Sequence, residues 1–136
     1  VPPSYWPVLR TIVMEGRGEE GSLARRMKVG RAAVRRAIAD LRRRGLLSVR
    51  PTKKPRAGST RYVYGPTLRG ALEVLWRCTD EELRRVVEAN RRLAPLVFGE
   101  WGFFREAGVE DLAIRRLRSL ERILPLVEGL EDLAPP

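Results

Sequence analysis

The chain has 136 residues, 43% of them apolar and 32% charged, which allows one domain with an appendage, or two very small ones, around a modest core. Twenty-seven Lys+Arg against 17 Asp+Glu give a net charge of +10, and so much positive charge on so small a body points to a polyanionic partner. Histidine is absent and Cys78 is the lone cysteine, which disfavours most hydrolase chemistry, a metal site and an intrachain disulfide.

In chain order, Tyr5, Leu9, Ile12 and Val13 fall at helical spacing, so a first helix is predicted over 5–15, capped by Ser4 and stopped by Gly16. A loop over 16–21 follows. Ser22 is placed to cap a second helix with Leu23, Ala24 and Met27 inward and Arg25, Arg26 and Lys28 outward. Val29 and Gly30 make a turn into a third helix over 31–44. In that helix Val34, Ala37, Ile38 and Leu41 form a buried stripe, while Arg31, Arg35, Arg36, Arg42 and Arg43 occupy the other face.

Gly45 ends the third helix, and strands are predicted over 46–50 and 61–64. The segment 51–60 between them carries Lys53, Lys54 and Arg56 without an acid and reads as a cationic hairpin tip. Thr67 is a cap for a fourth helix, with Leu68, Ala71, Leu72, Leu75 and Trp76 on its apolar face. Thr79-Asp80-Glu81-Glu82 is a capping box for a fifth, with Leu83, Val86, Val87 and Ala94 inward and its end at or before Pro95. Gly108 punctuates the chain, and a last helix begins at Glu110 and Asp111. Its Ala113, Leu117, Leu120, Leu124 and Val127 are spaced like a coiled-coil seam, which suits a dimer or an intramolecular helix pair equally, although Pro125 must bend or end it.

The charge is divided along the chain. Through Pro66 there are 16 basic and four acidic residues, against 11 and 13 afterwards, and Asp40 is the only acid between Gly21 and Leu72. A merely solubilising surface mixes its signs more evenly. The fold class that this order of elements implies is mainly α: a winged helix-turn-helix of three helices and a β-hairpin wing over 1–78, then a C-terminal helical region over 79–136. A helix docked in the major groove needs one apolar face to hold it and an opposite face of Arg, whose fork binds guanine edges or clamps phosphates.

The run Ser22-Leu23-Ala24-Arg25-Arg26-Met27-Lys28-Val29-Gly30-Arg31-Ala32-Ala33-Val34-Arg35-Arg36 and its continuation to Leu47 resemble the helix-turn-helix of prokaryotic winged-helix regulators, MarR-like and PadR-like. Arg61-Tyr62-Val63-Tyr64-Gly65-Pro66-Thr67-Leu68-Arg69-Gly70 resembles their returning wing strand and following helix. The resemblance covers residues 5–78 and departs at Gly30, where a Ser or Thr cap is usual. It implies a dimeric transcription factor whose third helix reads DNA.

The expected function is therefore sequence-specific binding of double-stranded DNA as a transcriptional regulator. Arg31, Ala32, Arg35 and Arg36 are expected to face base edges, Arg25, Arg26, Lys28 and Arg42 the backbone, and Lys53, Lys54, Arg56 and Arg61 to act from the wing. A homodimer through residues 67–136 is expected because a palindrome needs two reading heads. The alternatives are an architectural or replication-associated binder without sequence preference, and a winged-helix interaction module of a larger complex. No enzyme activity, cofactor or membrane is expected, since no nucleophile–base pair or apolar span is present, and the expected location is the cytoplasm, on the nucleoid.

Three sharper motifs have plainer explanations. Gly16-Arg17-Gly18-Glu19-Glu20-Gly21 fits G-x-G-x-x-G, but two glutamates would repel a pyrophosphate and a helix precedes it where a strand is required, so it reads as a turn. Cys78 reads as a packed residue rather than a redox sensor. Trp76, Phe98, Trp101, Phe103 and Phe104 read as packing first and as a small-molecule effector pocket second. The absence of Gln, the single Asn90 and the excess of Arg over Lys suit an archaeal, thermophilic source.

Overall fold

A computed structural model of the chain describes residues 1–52, 61–93 and 100–123. Helices α1 (Trp6–Glu15), α2 (Glu20–Met27) and α3 (Arg31–Arg43) lead into an antiparallel hairpin of β1 (Leu47–Thr52) and β2 (Arg61–Pro66). Helices α4 (Leu68–Leu75), α5 (Asp80–Ala89), α6 (Glu100–Glu106) and α7 (Glu110–Ser119) follow, and a 3₁₀ turn spans Leu120–Ile123. This is the mainly helical winged helix-turn-helix expected, with a C-terminal helical extension.

The third helix forms where its stripe requires. Val34, Ala37, Ile38 and Leu41 are buried against Leu9, Ile12 and Val13 of α1 and Leu23 of α2, and its arginines are exposed. Its N-cap, Gly30, offers no side-chain bond, and Gly45 turns the chain out of it at φ 76°. Asp40, at 8% exposure, lies near the end of the stripe. It accepts from Arg44 Nε at 2.7 Å and from Arg43. The hydrogen bond from Arg44, then that from Arg43 and both guanidinium charges, hold its carboxyl below the usual range in spite of burial. A depressed acid contributes stability that is present above its unfolded pKa and lost as pH falls through the folded one. Acid titration followed by circular dichroism should therefore show a loss of thermal stability below about pH 4 that Asp40→Asn makes shallower. An unchanged profile would contradict this role.

The fourth and fifth helices begin on the caps read from sequence. Gly70 N donates to Thr67 Oγ1 at 3.1 Å, and Thr79 and Glu82 exchange both bonds of the capping box, at 3.1 and 3.2 Å. Helix α5 then packs on α1 through Leu83, Val86 and Val87, all fully buried. Buried Asn90 follows it and donates through Nδ2 to Val13 O at 2.9 Å and Val86 O at 2.7 Å, closing the last carbonyls of two helices. Asn90→Ala takes the amide donor from Val86 O and leaves Val13 O with only the longer bond from Gly16 N at 3.3 Å, and a loss of about 1 to 3 kcal/mol is expected in urea unfolding. A change within experimental error would show that water replaces the amide.

Several boundaries differ from the sequence-based expectation. Ser4 does not cap α1; Tyr5 occupies the N-cap without a side-chain bond, and Pro7 in the first turn fixes the entry instead. Helix α2 begins at Glu20, with extended Glu19 at its N-cap, so Ser22 lies inside it rather than capping it. The strands are longer than expected. Pro51 and Pro66 both fit at their register positions, opposite Tyr62 and Leu47, because a two-stranded hairpin has open edges where a missing N–H is tolerated. The loop after α1 also joins the wing: Gly18 N donates to Tyr64 O and Tyr64 N to Gly18 O, each at 2.8 Å.

The last helix ends at Ser119, sooner than its heptad spacing implied. Ala113, Ile114 and Leu117 are buried within this one chain, and Trp76 Nε1 donates to Leu117 O at 3.3 Å. The described part of the stripe is thus spent on an intramolecular contact. Leu124 and Val127 of that stripe, like Ala94 on the expected face of the fifth helix, lie outside the described residues.

Candidate nucleic-acid interface

The exposed side of α3 is organised by its periodicity. Arg36 and Arg43, two turns apart, and Ala32 and Ala39, equally spaced, run along the middle, while Arg31, Arg35 and Arg42 line one border. Small alanines in the middle of an arginine surface let the helix backbone approach a ligand closely, with cations on both sides. Among the described residues Arg25, Arg36 and Arg42 have no acidic partner.

Arg31, Arg35 and Arg43 of this helix, and Arg26 before it, are committed to acids. Arg35 donates through Nε and Nη2 to the same oxygen, Oε1 of Glu20, at 3.1 and 2.8 Å, and Arg31 Nε lies 3.7 Å from it. The hydrogen bond that Arg35 donates to Glu20, and then the charge of Glu20, raise the Arg35 pKa further. Arg26 turns back to Glu15 at 2.8 Å, at the end of α1, and the Glu15 carboxyl is lowered chiefly by that hydrogen bond. Arg43 is held by Asp40.

Between the start of α2, the start of α3 and the wing lies a cleft of about 330 Å³, lined by Glu19, Glu20, Gly21, Ser22, Arg25, Arg31, Tyr62 and Tyr64. Gly21 faces the two arginines: a Cβ there would sit 3.9 Å from Arg31 Cζ and 4.0 Å from Arg25 Nη1. Tyr62 is 51% exposed at its rim, and Val29, in the turn before α3, is 47% exposed. With Glu19 and Glu20 beside Arg25 and Arg31 the cleft carries both signs, and its cations and hydroxyls can meet the phosphates and the sugar edge of a nucleic acid.

Of the residues singled out from sequence, Arg25 and Arg31 meet in this cleft, and Arg35 is joined to Arg31 through Glu20. Ala32, Arg36 and Arg42 share the α3 surface, and exposed Lys28 sits in the turn at φ 57°. Arg26 is drawn away from that group. Lys53, Lys54 and Arg56 lie outside the described residues, as does the side chain of Arg61. Glu20, Gly21 and Tyr62 were missed as parts of the site. The signal for Glu20 was present, since it is one of only four acids in the basic half, but its partners are 11 and 15 residues away.

A second cleft, of about 490 Å³, is lined by Trp6, Arg44, Leu46, Arg69, Glu73 and Arg77 along with Val1. Two of its cations serve the fold: Arg44 is bound to Asp40, and Arg77 lies 5.2 Å over the Trp6 ring with Nη1 on Glu73 at 2.7 Å. The described aromatic residues of the C-terminal region are used in packing, with Phe104 partly buried against the core and edge-on to Phe103 at 5.8 Å. Trp101 is in the core, Trp76 is pinned on Leu117, Phe103 is 71% exposed and Phe98 lies outside the described residues. Cys78 is buried with its Sγ on Leu75 O, and burial pushes its thiol pKa up, the opposite of an activated sensor.

A family model described as "TFIIE alpha subunit" matches residues 3–92, which span α1 through α5 and include the wing, the cleft and the whole arginine face. The chain belongs to the TFIIE alpha subunit family. The winged-helix resemblance seen in residues 5–78 thus holds, and the TFIIE alpha match carries it on through α5. The crystal structure of a transcriptional regulator from Thermotoga maritima is similar with a TM-score of 0.42 and 19% identity, over 97% of this chain and 77% of that one. Curated protein sequences offer no match. The TFIIE alpha family is one of transcription proteins rather than enzymes. Among the described residues no helix is long and apolar enough to cross a membrane, and no group of three His, Cys, Asp or Glu could hold a metal ion.

Proposed function

We propose that the chain binds duplex DNA with α3 in the major groove and the hairpin over the adjoining minor groove or backbone, and that it regulates transcription from there. One observation carries the reading: the α3 surface presents Arg36 and Arg42 without acidic partners among the described residues, beside alanines small enough to let the helix into the groove. Arg31, Ala32, Arg35 and Arg36 take base edges and nearby phosphates, and Arg25, Lys28 and Arg42 take the backbone, joined by Arg26 once it leaves Glu15. Lys53, Lys54, Arg56 and Arg61 add wing contacts. The scarcity of amides supports an archaeal, thermophilic setting, and a DNA partner supports a place on the nucleoid.

Residues 1–78 hold the DNA-facing parts in this reading, and 79–136 serve assembly as a homodimer through residues 67–136. Because the Ala113–Leu117 stripe is spent inside the chain, exposed Phe103, Val109 and Leu112 are the apolar groups left for pairing among the described residues of the C-terminal helices. The same apolar residues, and the word "subunit" in the family's description, favour a second reading in which the winged helix is one module of a larger transcription assembly.

Selection from a random duplex library at physiological salt separates these readings. An enriched inverted repeat with half-sites about one helical turn apart is the expected result. Binding without a motif would favour an architectural role, a single half-site with a monomeric mass by light scattering would favour the module, and no duplex binding would overturn the proposal.

A further inference from the structure

The Glu20 carboxylate is 16% exposed, while the Arg31 and Arg35 side chains it touches are each 67% exposed. The acid therefore lies beneath the two cations rather than in front of them. Both Arg35 bonds end on one oxygen and use only the Nε–Nη2 edge of the guanidinium, so Nη1 stays off the carboxylate on a side chain that is largely exposed. Arg31 approaches the same oxygen from the first turn of α3, one turn before Arg35. Glu20 itself is fixed on the first turn of α2, next to the Gly18–Tyr64 bridge.

We infer that Glu20 is a positioning residue, which locks Arg31 and Arg35 as a pre-ordered pair with their outer edges set for a nucleic-acid ligand. The inference rests on the DNA reading above and names the residue that sets its selectivity. A free arginine side chain loses rotamer entropy each time it binds, and a guanidinium already held at Nε and Nη2 has lost much of it beforehand. A mobile Arg satisfies phosphates on any sequence, whereas a held one satisfies only a base edge that meets it, so the carboxylate trades general affinity for discrimination. Simple charge neutralisation by Glu20 would lower affinity for every duplex and leave the discrimination untouched.

Glu20→Gln tests this, as it keeps the size of the side chain and removes the charge. Two readouts are needed. In the DNA-free protein the Arg35 Nε–H should give an ordered, slowly exchanging NMR signal that the variant loses, with little change in melting temperature. On a duplex enriched by the wild-type protein and on a scrambled one, the variant should bind the scrambled duplex more tightly and with a salt slope steeper by about 1, while the ratio between the two duplexes falls about tenfold. An unchanged ratio with tighter binding to both would reduce Glu20 to a counter-charge and overturn the inference, as would an Arg35 signal that is already averaged in the wild type. If the wild type distinguishes no duplexes while the Arg35 signal responds as expected, the DNA reading has failed and the inference on selectivity falls with it.

Discussion

Gly70→Ala should destabilise the protein by about 2 kcal/mol or more and lower its melting temperature by roughly 5 to 10 °C. In an exposed helix the same change stabilises by up to about 1 kcal/mol, because alanine has the higher helix propensity. The sign reverses here because a Cβ on Gly70 would lie 2.0 Å from Leu46 O and 3.0 Å from Leu46 C. Those are backbone atoms at the junction where α3 gives way to β1, and they have little room to move. Leu46 O accepts from Thr67 N at 3.1 Å, Leu46 N donates to Leu41 O at 2.9 Å, and Thr67 Oγ1 donates to Gly45 O at 2.6 Å. Pushing α4 off this knot breaks the link that ties α3, the wing and α4 together. Gly21→Ala is the control: its nearest neighbours lie at 3.9 Å and beyond, within helix α2, so it should be neutral or stabilising. Equal thermal shifts for the two variants would contradict the close approach.

The second large effect is on binding. Arg35→Ala and Arg36→Ala should each weaken a selected duplex by about 1 to 3 kcal/mol, with the double variant losing less or more than the sum because the two residues are adjacent. Both side chains are exposed, so melting temperatures should stay close to the wild type. The two losses should differ in kind. Arg36 lies in the middle of the α3 surface without an acidic partner among the described residues, so its removal deletes contacts and charge alone. Removing Arg35 also leaves Glu20 paired only with the more distant Arg31, and exposes that carboxylate's charge to the approaching phosphates. Arg35→Ala should therefore weaken scrambled duplexes more than Arg36→Ala does, by fluorescence anisotropy at matched salt. Identical losses on every sequence for both variants would refute the assignment of these two residues to base edges.

The parts of the fold that depend on neighbours in sequence were legible before any coordinates. The α3 stripe, the Gly45 stop, the Thr67 cap and the Thr79–Glu82 box are set by residues within a turn or two of one another, and all are observed. Contacts between distant segments were not legible. The Gly18–Tyr64 bridge, the Asn90 link to Val13 and the Glu20 hold on Arg31 and Arg35 join residues far apart, and nothing local in the chain signals them. The hairpin runs further than its β-branched and aromatic residues alone imply, because on a two-stranded sheet Pro51 and Pro66 can each sit where no N–H is needed. The fate of the Ala113–Leu117 stripe illustrates a different limit. Heptad spacing specifies an apolar face but not its owner, and only the packing of α7 against Trp76 shows that the chain covers it itself.

Amide shifts followed by NMR as a duplex is titrated into the full chain test the central claim most directly. The account predicts that the largest shifts fall on Arg31 to Arg43 of α3, on Gly21 and Ser22 at the cleft, and on Tyr62 of the wing, and that they fade as salt is raised. Shifts concentrated instead around Trp6 and Arg77, or on the exposed Phe103 and Leu112 of the C-terminal helices, would contradict it.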